Sequence, residues 1–247
     1  MVVTTTTVEI DVKAARPMRM LVTEPAQKRS DSAPHPGVLL YSDIFQMTGP
    51  LQRASRRLAS YGFVVVAPEI WNRIEEPGTG IPFDDAGRTR GFANAKKTSV
   101  ADMDTDATAA LAWLGERTDK IGAMGYSIGG HLAFRAALRP SVRAAACFYP
   151  IALHTGALGS DADAGTLARV NEIRGDLLLV FATNDAQVPL AARETIAKAL
   201  GDAGTKVETV LYDAEHAFMR DEGPRWDPQA TDDAWARAIA LFRARLV

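Results

Sequence analysis

The chain has 247 residues, 47% apolar and 23% charged, and its 28 basic and 30 acidic side chains leave a net charge of −2. This composition excludes a disordered chain, which needs few apolar residues and a large net charge. The near-neutral balance also excludes nucleic acid as the main partner, because phosphate binding needs a basic face. A chain of this length buries roughly 70–75% of its unfolded surface, and no linker, repeat or low-complexity tract divides it, so one domain over residues 1–247 is expected.

In chain order, the Thr-rich start, residues 1–11, has no basic n-region and no apolar h-region, so it reads as extended chain rather than a signal peptide. No apolar run approaches the 18 or so residues of a membrane span, and the expected location is the cytoplasm. Short apolar, β-branched runs predict strands at 8–12, 18–23, 37–41, 63–67, 120–124, 144–149, 176–182 and 206–212. Several are apolar at consecutive positions, such as Val64-Val65-Val66 and Leu177-Leu178-Leu179-Val180, as in strands buried on both faces of a parallel sheet. Helical period predicts helices at 50–60, 100–117, 128–138, 190–200 and 231–245. In the last, Ala234, Trp235, Ala238, Leu241 and Phe242 form an apolar stripe opposite Asp232, Asp233 and Arg237. The alternation predicts an α/β fold with a mostly parallel sheet of about eight strands and helices on both faces. Residues 69–97 and 154–171 show no periodicity and read as long loops, which are usually functional or mobile. The single cysteine, Cys147, lies in an apolar run and reads as a small core residue.

The segment Met124-Gly125-Tyr126-Ser127-Ile128-Gly129-Gly130 carries the chemistry. G-x-S-x-G between a strand and a helix is a nucleophile elbow: a sharp turn that pushes the serine hydroxyl out at the carboxyl end of the sheet. Side chains at Gly125 or Gly129 would collide with a neighbouring strand or helix, and the helix N-terminus offers free N–H groups to a developing oxyanion. Serine needs a base, and the base an orienting carboxylate, in the chain order Ser, acid, His. Of the four histidines, His35 and His154 precede the acid candidate and His131 lies one turn beyond Ser127 on the same helix. His216, just past the strand at 206–212, is the base by elimination. Asp185, in Thr183-Asn184-Asp185-Ala186-Gln187-Val188-Pro189, follows the preceding strand. Its spacing of 31 residues from His216 fits one helix and one strand. Asp213 and Glu215 are nearer in sequence, but neighbours on one loop rarely point at each other's tips.

With these residues in place the chain resembles the dienelactone hydrolase family of α/β-hydrolases, from about residue 37 to the C-terminus. The resemblance is carried by Ser42-Asp43-Ile44-Phe45, Tyr61-Gly62-Phe63, Ala67-Pro68-Glu69, the elbow, Asn184-Asp185 through Pro189, His216-Ala217-Phe218-Met219-Arg220 and Ala230-x-x-x-Ala234-Trp235. It implies an α/β-hydrolase fold, a Ser127–His216–Asp185 triad and an oxyanion hole from the N–H groups of Ile128 and Ile44. It also implies an acidic position beside the nucleophile at Asp43. Arg220 and a second arginine from the 69–97 loop, Arg88 or Arg90, would hold a substrate carboxylate. Two positions depart from the family pattern: the nucleophile is Ser127 instead of cysteine, and the acidic residue is Asp43 instead of glutamate. A hydroxyl cannot be stored as its anion as a thiol can, so Ser127 would depend on His216 throughout.

The expected activity is hydrolysis of a small-molecule carboxylic ester or lactone through an acyl-enzyme, by a monomer or small homo-oligomer without a cofactor. A promiscuous esterase or phosphotriesterase, a peptidase and a non-catalytic binding relative are the alternatives. No metal is expected: Asp102-x-Asp104-x-Asp106 opens like a calcium loop, but Ala107 and Trp113 stand where glycine and glutamate are needed.

Overall fold

The computed structural model describes residues 1–247. Its strands are β1 (Val3–Ile10), β2 (Met18–Pro25), β3 (Gly37–Tyr41), β4 (Val64–Pro68), β5 (Ile121–Tyr126), β6 (Val142–Phe148), β7 (Asp176–Asn184) and β8 (Val207–Glu215). Its helices are α1 (Gly49–Ser60), α2 (Asp85–Ala95), α3 (Val100–Gly115), α4 (Ile128–Ala136), α5 (Leu190–Asp202) and α6 (Pro228–Leu246), with one 3₁₀ segment at Leu167–Glu172. The strands form one eight-stranded sheet in the order β1-β2-β4-β3-β5-β6-β7-β8. β2 pairs antiparallel with β1 and β4, and every other neighbour is parallel.

The consecutive apolar runs are explained by two cores, one on each face of the sheet. Leu39, Val66, Ala145 and Leu179 face one core, with Leu111 and Leu114 of α3, Phe134 of α4 and Ile196 of α5. Their chain neighbours Leu40, Val65, Ala146 and Leu178 face the other, with Leu51 and Leu58 of α1 and Trp235 and Phe242 of α6. Each fully buried Leu, Val or Phe contributes roughly 1.5–3 kcal/mol relative to exposure, so a slip by one residue would exchange two complete side-chain sets between the cores. Cys147 is fully buried and free, with its thiol pushed up by burial, as a packing residue should be.

Two expectations are corrected. β1 begins at Val3 rather than residue 8: at this sheet edge Thr4–Thr7 are β-branched yet exposed and so carry no apolar alternation. The 69–97 segment is not all loop, because α2 occupies Asp85–Ala95. This helix lacks an apolar stripe and contains Gly87 and Gly91, which hides it from periodicity. Its local signal is the N-cap, where the Asp84 carboxylate accepts from Gly87 N at 2.7 Å.

Register places the loops at the carboxyl end of the sheet. β3 and β5 are neighbours with Tyr41 opposite Gly125, so Ser42–Ile44 emerges beside Ser127. β7 and β8 are neighbours, and a register irregularity between Ala182 and Asn184 brings Asn184 opposite Glu215. Asp185 and His216 therefore leave adjacent strands side by side.

Candidate active site

Ser127 stands between β5 and α4 at φ 57°, ψ −117°. A non-glycine residue there is strained, and close backbone packing holds it. A Cβ on Gly125 would lie 2.0 Å from the Gly129 carbonyl oxygen, and one on Gly129 would lie 2.1 Å from that of Ser42. Both collisions expected of the elbow are present. The Ser127 N–H donates to the Phe148 carbonyl at 3.0 Å, which ties the turn to β6.

The three polar groups form one chain. Ser127 Oγ is 3.0 Å from His216 Nε2, and His216 Nδ1 is 2.7 Å from Asp185 Oδ2. The other Asp185 oxygen accepts from Gln187 N at 2.8 Å, which fixes the carboxylate plane. Because Nδ1 faces a carboxylate it carries the proton in the neutral ring, leaving the Nε2 lone pair for the serine hydroxyl. All three residues are buried, and the Tyr149 ring meets His216 edge-on with centroids 5.1 Å apart.

Ile128 is the first residue of α4, so its N–H has no intrahelical carbonyl to bond. The Ile44 N–H donates to no protein acceptor. Ile44 is held by a contact that sequence patterns do not announce: its carbonyl accepts the Trp71 indole N–H at 3.0 Å. Gln46, at φ 62°, anchors the same loop by accepting from Trp71 N at 2.6 Å and donating to the Thr79 carbonyl at 2.9 Å.

A cavity of about 700 Å³ opens over Ser127 and His216, with Ile44, Phe83, Arg88 and Arg220 in its wall. Arg220 donates to Asp43 Oδ2 from Nε at 3.1 Å and from Nη2 at 2.6 Å, while Asp43 Oδ1 accepts from Phe45 N at 3.0 Å. The guanidinium lies between Phe45 and Phe83, 4.7 Å from each ring centroid. Phe45 lies in a segment that carries the family resemblance and Phe83 in the 69–97 segment, but the sequence assigns neither a role at the site. Arg90 turns away to the buried Glu75, donating from Nε at 2.8 Å. Arg88, two residues earlier in α2, lines the cavity and has no carboxylate within ion-pair distance.

His131 is a packing residue: Nδ1 meets the Ile151 carbonyl and Nε2 the Thr166 hydroxyl, each at 2.9 Å. His35 bridges the Gly62 and Gln27 carbonyls, away from Ser127. The carboxylates of the calcium-like run are claimed by arginines, with Arg73 on Asp102 and Asp106 and with Arg135 and Arg139 on Asp104.

The strand order, the elbow and the carboxyl-end loops define an α/β-hydrolase fold. A family profile described as the dienelactone hydrolase family matches residues 20–246. A Saccharomyces cerevisiae protein named "Putative carboxymethylenebutenolidase" is 35% identical over 256 residues, covering 100% of this chain and 93% of its own length. A structure titled "Putative Dienelactone Hydrolase" from Klebsiella pneumoniae superposes with a TM-score of 0.83 at 23% identity, covering 97% of this chain and 99% of that one. A dienelactone hydrolase-like promiscuous phosphotriesterase from metagenomic libraries gives 0.81 at 19% identity, with both chains covered in full (100% each). The chain belongs to the dienelactone hydrolase family, and it is a hydrolase of that class.

Proposed function

We propose that the protein hydrolyses a carboxylic ester or lactone through an acyl-enzyme on Ser127. The observation that carries this reading is the unbroken chain Ser127–His216–Asp185, at 3.0 and 2.7 Å, open to a cavity. His216 Nε2 takes the Ser127 proton as Oγ bonds to the carbonyl carbon. The N–H groups of Ile128 and Ile44 receive the oxyanion, and one such donor is worth roughly 3–4 kcal/mol of barrier. Collapse breaks the bond to the alkoxy oxygen, which leaves with the proton from His216. Water then adds to the acyl carbon, giving a proton to His216, and the returning proton frees Ser127 as the acid departs. Asp185 holds the imidazole tautomer and stabilises its cation.

Arg88 narrows the substrate class. Of the guanidiniums in the cavity wall, Arg220 is paired with Asp43 and Arg225 with Glu215 at 3.2 Å, whereas Arg88 has no carboxylate partner. An ester or lactone bearing a carboxylate gains an ion pair there. Hydrolysis of p-nitrophenyl acetate by wild type and Ser127→Ala, purified in parallel, tests the reading. Turnover falls to background in the variant, and equal activity in both would refute the nucleophile assignment.

A further inference from the structure

Behind the Asp43–Arg220 ion pair lies a second cavity, of about 330 Å³, which shares those two residues with the catalytic cavity but does not include Ser127 or His216. Four aromatic side chains dominate its wall: Tyr126, Tyr149, Trp226 and Trp235. Trp226 is 47% exposed, unusual for a residue this large, while Trp235 and Tyr149 are buried. The cavity therefore has its own aromatic route to solvent.

The charges around it are already used. Arg53 is paired with Asp221 at 2.7 Å and Glu222 at 2.6 Å. Arg57 lies over the Trp235 ring at 4.7 Å and reaches Asp232 at 3.5 Å, and Arg220 holds Asp43. No charge is left for an ionic ligand. What remains is aromatic surface and, among the polar groups of the wall, one buried atom left without a protein hydrogen-bond partner, the hydroxyl of Ser42, a residue 2% exposed. Such a buried hydroxyl is costly unless a bonding group meets it. Burial pushes both tyrosine hydroxyls upward in pKa, so they stay neutral phenols. The space suffices for one ring, since an apolar cavity of about 150 Å³ already holds benzene.

We propose that this chamber binds a neutral phenolic ring, packed among Tyr126, Tyr149, Trp226 and Trp235 with its hydroxyl on Ser42 Oγ. The ring comes either as a free phenol or as the hydroxyphenyl group of an ester processed in the adjoining cavity. Binding is measured without turnover and so stands or falls separately from the hydrolase reading.

The experiment is a titration of the Ser127→Ala protein with phenol and with toluene, followed by NMR of the tryptophan indole N–H groups. Phenol should shift the Trp226 and Trp235 signals saturably and leave Trp113 unmoved. Ser42→Ala, whose lost hydroxyl bonds nothing in the fold, should weaken phenol about tenfold and leave toluene unchanged. Ala54→Leu, which narrows the chamber from α1, should weaken both ligands. The Ser42→Ala comparison carries the test even if the larger side chain disturbs folding. No saturable shift, or an unchanged preference for phenol in Ser42→Ala, would overturn the proposal. The source follows from Ala54→Leu with Ser127 intact. A selective fall in kcat/KM for 4-hydroxyphenyl acetate over ethyl acetate supports the ester, and an unchanged ratio with phenol binding lost supports free phenol.

Discussion

At Ser127 the backbone holds a conformation that costs on the order of 1–3 kcal/mol, and it does so where the side chain reaches His216 at 3.0 Å. The strain keeps Oγ above the turn and beside the first N–H of α4, so the proposed nucleophile and one proposed oxyanion donor come from consecutive residues. Arg88 and Arg220 share a cavity but differ in what their charge is free to do. Arg220 is bonded to Asp43 and sandwiched by Phe45 and Phe83, whereas Arg88 meets only the Phe92 ring at 5.8 Å. Arg88→Ala should therefore raise KM about tenfold for a lactone bearing a carboxylate and leave a neutral ester within twofold. Steady-state kinetics on such a matched pair would check it, and equal losses on both substrates would mean that the guanidinium does not recognise charge.

At the scale of elements, α2 links the 69–97 segment to the loop that carries Ile44, the second proposed oxyanion donor. A Cβ on Gly91 would stand 2.7 Å from the Ile44 carbonyl oxygen, so glycine permits the helix to rest against that loop. Gly91→Ala should push Ile44 aside and lower kcat by up to about 100-fold, because small displacements of positioning groups are that costly. KM should change little, and pre-steady-state acylation rates would show the loss in the first chemical step. This contact also shows where sequence reading stops. The elbow is readable from local strand, turn and helix chemistry, and Asp185 and His216 from chain order and elimination; the structure brings the three side chains into one hydrogen-bonded chain. Arg88 and Arg90 could not be separated without α2, whose glycines are there for close approach and erase the apolar stripe. The Phe45–Arg220–Phe83 sandwich joins three segments far apart in the chain, and no spacing rule records it. The start of β1 is missed for a related reason, since Thr4–Thr7 lie exposed at the sheet edge and show no apolar alternation.

For the whole molecule, stability is tied to a buried polar network between α3, α4 and residues 164–166. Arg135 donates to both oxygens of Asp104 at 2.8 and 2.7 Å and to the Ala164 carbonyl at 2.7 Å, while His131 bonds Thr166. Burial, with Arg135 nearby, lowers the His131 pKa to about 3, so the fold keeps this ring neutral. In the unfolded chain the ring titrates near 6.5. Between those values the unfolded state binds the extra proton, so this contribution is complete above about pH 6.5 and is lost as pH falls toward 3. The slope for one proton is ~1.4 kcal/mol per pH unit. Urea unfolding of wild type and His131→Gln from pH 7 to 4 should show the variant less stable at neutral pH but flatter by that slope. Parallel curves would place the acid sensitivity elsewhere.

The central claim is that Ser127 is activated by His216 and held ready by Asp185. A fluorophosphonate probe, which bonds covalently to an activated serine, tests it most directly through peptide mass mapping of the labelled protein. The account predicts one adduct, on the peptide containing Ser127, with labelling slowed on the order of 10⁴-fold in Asp185→Asn through loss of the working tautomer. An adduct on another residue, or equal labelling of wild type and Asp185→Asn, would contradict it.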